Sequence, residues 1–118
     1  MRCVDKAALL AVPKPIEAIP IPELGDDSVL YLRVMSGWER SEIEKRFSVE
    51  GTALSDPGMF RGAVLVRSIT DEAGVRMFGD DDIQSLMDLP AGIVERLFEK
   101  ACSINGFTQS DVEELEKN

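Results

Sequence analysis

The sequence contains no histidine. That removes the commonest general base, the usual partner of a nucleophilic Ser or Cys, and the commonest metal ligand. Cysteine is almost absent as well: Cys3 and Cys102 stand near opposite ends of the chain. This spacing is neither a secreted disulfide framework nor a zinc pattern. It fits two reduced thiols, the alternative being one intramolecular bridge. No apolar run approaches the roughly 18 residues that a membrane span needs. The stretch Met1 to Ala11 lacks a full apolar region and carries Asp5, so no signal peptide is expected. Positive charge is scarce too, with 13 Lys and Arg against 22 Asp and Glu, a net charge of -9. A chain this acidic is not built to neutralise nucleic-acid phosphates or to hold an anionic membrane.

What is present is one domain's worth of globular material. The 118 residues are 44% hydrophobic and 30% charged, enough to bury a core without staples. The negative charge is uneven: residues 1–70 carry net -1 and residues 71–118 net -8. Such a surface keeps a helical region soluble, or it offers an acidic face to a basic partner.

Asp5 is placed to cap a helix from Lys6 to Ala11. Pro13, Pro15, Pro20 and Pro22 forbid helix and favour an extended edge path, which also blunts the edge against unwanted pairing. Acidic turn residues Gly25 to Ser28 and the apolar run Val29 to Val34 complete a β-hairpin. Ser36 and Glu39 have capping-box spacing, and Trp38, Ile43 and Phe47 are expected on the core side of the helix they open. That helix should stop near Glu50 and Gly51, with a loop from Thr52 to Gly58. Met59 to Ile69 is read as a helix with Pro57 at its first turn. A turn over Thr70 to Gly74 and a short extended piece over Val75 to Phe78 follow. Asp80 or Asp81 then caps a short helix. The next helix starts at Pro90 and carries the stripe Ile93, Val94, Leu97, Phe98 and Ala101. Asn105-Gly106 should end it in a left-handed cap, with Phe107 making the hydrophobic contact of a Schellman motif. Thr108 opens a weakly apolar last helix holding Val112 and Leu115. The fold class is therefore α+β, an N-terminal β-hairpin followed by a bundle of four to five short helices. It forms a single domain over residues 1–118, with the N-terminal helix and Pro-rich hairpin in 1–35 and the helical part in 36–118.

No catalytic constellation survives inspection. Gly58 and Gly62 flank no Lys-Ser or Lys-Thr pair, so there is no phosphate loop. Neither Asp71 nor Asp80 starts a calcium loop, because the required oxygen ligands and the glycine at position six are missing. No enzyme activity, cofactor or metal is expected. The residues singled out for partner binding are Asp80, Asp81, Asp82, Glu113, Glu114 and Glu116. The apolar stripe of the last helix and the proline-rich arm are further surface for a partner to cover.

The order of landmarks carries a resemblance. Pro20-Ile21-Pro22-Glu23-Leu24-Gly25 precedes a strand, and Val34-Met35-Ser36-Gly37-Trp38-Glu39-Arg40 starts a helix. Leu65-Val66-Arg67-Ser68-Ile69 leads to Asp71-Glu72-Ala73-Gly74-Val75-Arg76-Met77-Phe78. Val94-Glu95-Arg96-Leu97-Phe98-Glu99-Lys100-Ala101 and Ile104-Asn105-Gly106 come before the acidic end, Asp111 to Asn118. Over residues 5–118 the chain resembles the tail assembly chaperones of long, non-contractile-tailed bacteriophages. The resemblance implies a non-enzymatic helper that binds and solubilises the tape measure protein while the tail tube polymerises around it. It implies the short product of a message whose longer, frameshifted product recruits the tail tube protein. It places the protein in the host cytoplasm during assembly and outside the mature virion. Self-association into a homo-oligomer is expected, since many weak copies on one long client bind by avidity. The competing expectation is a structural virion or head–tail joining protein.

Overall fold

A computed structural model describes residues 1–47 and 57–107, together with Val112, Glu113 and Glu116. The proposed helix end at Glu50-Gly51, the loop from Thr52 to Asp56, and Thr108, Glu114 and Leu115 lie outside the described residues.

The expected α+β architecture is present. Asp5 accepts the Ala8 amide at 2.8 Å and so caps α1 (Lys6–Leu10), a helix that buries none of its residues. The prolines then force an extended path into β1 (Ile16–Pro20), which pairs antiparallel with β2 (Val29–Arg33), Ile16 opposite Arg33 and Pro20 opposite Val29. A third strand, β3 (Ile69–Thr70), lies on the other side of β2 and pairs Ile69 with Leu32. The sequence pattern alone predicts a helix through Ile69 and a turn from Thr70. Both residues are instead drawn into the sheet, because Ile69 reaches the core only from a strand beside Leu32.

Ser36 and Glu39 form the expected capping box at the start of α2 (Gly37–Phe47). Ser36 Oγ accepts from the Glu39 amide, and Glu39 Oε1 accepts from the Ser36 amide. The central element is α3 (Pro57–Ser68), which begins at Pro57 as its sequence position suggests; Gly58 thus belongs to the helix and not to the preceding loop. Residues 62–68 are buried without interruption, the mark of a helix covered on all sides. It packs against α2, against α4 (Ile83–Met87) and against α5 (Ala91–Ile104). The whole expected stripe of α5 is buried, Leu97 and Phe98 included. Pro90 stands one residue before the helix, at its cap, rather than in the first turn. The end of α5 is a Schellman motif: the Phe107 amide donates to the Cys102 carbonyl and the Gly106 amide to the Ser103 carbonyl, with Gly106 at φ +73°. The sealed end is stitched to the start of α2. Asn105 Oδ1 accepts the Met35 amide at 2.7 Å, and Arg40 donates to the Asn105 carbonyl while stacking over Phe107.

Two expectations need correction. Trp38 is 84% exposed rather than in the core. The buried face of α2 is Glu39, Ile43 and Phe47, four residues apart, and Trp38 lies about 180° around the helix from Phe47. The helix that begins at Ile83 is not capped by the side chain of Asp80 or Asp81. Asp80–Asp82 form a 3-10 turn, and it is Asp82 that reaches back to accept the Gly79 amide at 2.8 Å.

Close approach of α3 to α4 depends on Gly62. A Cβ there would stand 2.3 Å from Ile83 Cγ2 and 3.4 Å from Met87 Cγ. Ala in mid-helix gains about 1 kcal/mol over Gly, but overpacking a stiff β-branched neighbour costs about 1–3 kcal/mol. Gly62→Ala is therefore expected to lower stability by about 1 kcal/mol in urea titration, against its helix propensity.

Candidate functional site

The described residues offer grooves of modest size. Among the described residues there is no cluster of three metal-ligating side chains. A groove formed by α3, α5 and the C-terminal residues holds about 220 Å³, lined by Arg61, Glu95, Phe98, Glu99, Val112 and Glu116. A second, of about 280 Å³, lies where Pro13 and Ile16 meet Ala73 and Gly74. Both fall below the ~300–1,000 Å³ of small-molecule sites, and each accepts a side chain rather than a helix.

The proposed acidic residues divide between two places on α3. Near its C-terminal end, Arg67 is only 5% exposed and donates to Asp80 at 3.0 and 3.4 Å, to Glu42 at 3.3 Å and to the Ala63 carbonyl. Arg46 approaches Asp80 at 4.0 Å. Asp80 thus neutralises a buried cation. Asp82 is occupied with the Gly79 amide, while Asp81 is exposed and makes no side-chain hydrogen bond or ion pair among the described residues. Toward the start of α3, Arg61 pairs with Glu116 at 3.3 Å and stacks over Phe98. Glu113 is exposed and helical; Glu114 lies outside the described residues. The fold ties Asp80 and Glu116 to one helix, six residues apart through their arginines, and does not gather the five described acids into a single patch.

A second carboxylate hub was read from sequence only as a cap. Glu39 is buried, and its Oε2 accepts from Arg33 at 2.6 Å and from Arg76 at 3.5 Å. Arg33 and Arg76 also donate to the Arg67 and Val66 carbonyls, closing the C-terminal end of α3.

The more unusual surface is the sheet. Alternation along the strands puts Ile19, Leu30 and Leu32 on the helix-covered face. The other face carries Ile16, Ala18, Val29 and Tyr31, with Ile16 and Val29 40% and 47% exposed. A half-covered antiparallel sheet ordinarily alternates apolar-in and polar-out. The same face also carries Arg33, paired with Glu39, and the buried Thr70, so its exposed apolar part is confined to the hairpin, and the unbroken run Val29 to Leu32 is its signal in the sequence. Earlier in the chain, α1 leaves Leu9 and Leu10 65% and 75% exposed. The proline-rich arm, flagged from sequence as surface to be covered, leads into this face.

The thiols are both free, Cys3 exposed and Cys102 buried. Burial, with the nearby Glu116 charge, pushes the Cys102 thiol up to about 12. Native protein at pH 8 is expected to label one thiol per chain with a maleimide, and two in denaturant. The sign follows for stability: the contribution is complete below the ordinary thiol value of 9.0 and is lost as pH rises toward 12. Cys102→Ala should flatten that alkaline decline.

No protein-family model and no curated protein matches the sequence. A solved structure does: that of the bacteriophage HK97 tail assembly chaperone. It is similar with a TM-score of 0.60 at 14% identity, over 77% of this chain and 85% of that one. At that identity the likeness establishes a shared fold.

Proposed function

We propose that this chain is a tail assembly chaperone of a long, non-contractile-tailed bacteriophage. The observation that carries the reading is the shared fold with the HK97 tail assembly chaperone over most of both chains. The sequence landmarks from Pro20-Ile21-Pro22 to the acidic end point to the same family. The molecule suits a non-enzymatic holdase. Its acidic helical surface and the exposed apolar residues of its hairpin are features suited to covering a client. The client is the tape measure protein, held soluble in the host cytoplasm until the tail tube polymerises around it. The tail tube protein is recruited through a longer, frameshifted product, and the chaperone leaves before the virion is complete. Copies self-associate along the client and bind by avidity.

Co-expression with the tape measure protein of the same genome tests this. Expected is a several-fold gain in soluble tape measure protein that co-purifies with this chain. Precipitation of the client regardless would overturn the short product's role. Mass spectrometry of purified virions separates a chaperone, which is absent, from a head–tail joining protein, which stays.

A further inference from the structure

We infer that the N-terminal arm of one copy docks on the outer sheet face of a second copy, so that exchange of arms joins the chains. This deepens the self-association proposed above by naming its joint. Two features in the molecule lack a partner and match each other. One is α1, correctly capped by Asp5 yet burying no side chain, with Leu9, Leu10 and Val12 all at least 65% exposed. The other is the hairpin face bearing Ile16, Ala18 and Val29, where Ala73 and Gly74 reach Ile16 from one side and Ile16 and Val29 stay 40% and 47% exposed.

Charge points to the same pairing. Residues 1–14 hold three basic groups and one acidic, net +2, while residues 15–118 hold 10 basic and 21 acidic, net -11. The only net-basic end of the chain thus meets a body of opposite sign, and Asp26 and Asp27 stand beside Val29 at the tip of the hairpin. A positive arm favours the acidic body of another copy during encounter.

Geometry decides between the face and the edge. The Ile21 amide donates to Ser28 and the Pro15 carbonyl accepts from Val34, so odd-numbered residues of β1 turn their backbone toward β2. The outward edge falls to Ile16, Ala18, Pro20 and Pro22, and both prolines lack an N–H. Strand addition is blocked there, and side-chain packing on the face is open. Pro13 and Pro15 hold the connection extended, and α1 puts no side chain into its own body. Each copy therefore offers one arm and one face, which a two-fold axis satisfies reciprocally.

The test uses the full chain. Equal amounts of ¹⁴N- and ¹⁵N-labelled protein are mixed, treated with a zero-length carbodiimide and mapped by mass spectrometry. Expected are mixed-isotope links from Lys6 or Lys14 to Asp26 or Asp27. Leu9→Asp combined with Leu10→Asp, both at exposed positions, should raise the dissociation constant of self-association about 100-fold or more in sedimentation. Val29→Asp, on the other partner surface, should act in the same direction. Links confined to one isotope would mean that the arm closes on its own sheet, which overturns the inference. If these variants associate as tightly as the wild type, the joint lies elsewhere, and self-association survives without the arm. If the wild type is a monomer at 100-fold the concentration used for client capture, both readings fall.

Discussion

Phe60→Ala is expected to come close to unfolding this protein. Phe60 is fully buried on the central helix, and its ring meets Phe47, Phe98 and Phe107 edge-on, at centroid distances of 5.4, 5.8 and 6.3 Å. Those partners come from α2, from α5 and from the sealed end of α5, so one side chain joins three parts of the bundle. Truncating a buried Phe costs about 3–5 kcal/mol, and each well-oriented aromatic pair adds about 0.5–1.5 kcal/mol beyond buried area. We expect a loss of about 4–5 kcal/mol, against a whole-domain stability of about 5–15 kcal/mol. Urea titration at 25 °C would show the midpoint falling with little change in slope. A loss below about 2 kcal/mol would mean that the three rings close over the gap and that Phe60 is not the joint described here.

Charge reversal at neighbouring aspartates should have opposite consequences. Asp80→Lys removes the carboxylate that binds Arg67 through both oxygens and sets a cation beside both Arg67 and Arg46. Arg67 Nε already has no hydrogen-bond partner, so the buried guanidinium has little in reserve. Breaking a fully buried pair costs about 3–5 kcal/mol. Asp80 is half exposed, and solvent screening reduces the expected loss to about 2–3 kcal/mol. Asp81→Lys should change stability by no more than about 0.5 kcal/mol. The pair therefore separates folding from binding. Asp81→Lys should weaken capture of the tape measure protein at unchanged thermal stability, whereas any loss of capture in Asp80→Lys mixes both effects. Equal stability of the two variants would show that Arg67 does not depend on Asp80.

The elements legible in the sequence are those written in local chemistry. Asp5, the Ser36–Glu39 box, Pro57 and the Asn105–Gly106–Phe107 terminator each act within a few residues of themselves, and each does so in the structure. The stripe of α5 was equally clear, because one face of a long helix meets one core. Long-range competition decided the rest. Trp38 and Ile43 share an apolar character but not a face, and only the demand of Arg33 and Arg76 for Glu39 shows which side of α2 turns inward. The two-residue β3 carries no pattern of its own and exists because β2 has an open side. Among the candidate acids, sequence reveals charge but not its debts. Nothing near Asp80 or Glu116 in the chain announces that Arg67 and Arg61 claim them. The outward apolar residues of the hairpin were visible as an unbroken hydrophobic run, yet only strand pairing showed which of them stay exposed.

The stitch between Met35 and Asn105 spans 70 residues, and this gives the fold a timetable during synthesis. At about 5–20 residues per second, the ribosome takes about 4–14 s to make the segment between them. Over that interval the hairpin is complete but has no α5 to lie against. The nascent chain thus presents its own sticky surface for seconds before it can close, and its earliest neighbours on a crowded message are other half-made copies of itself.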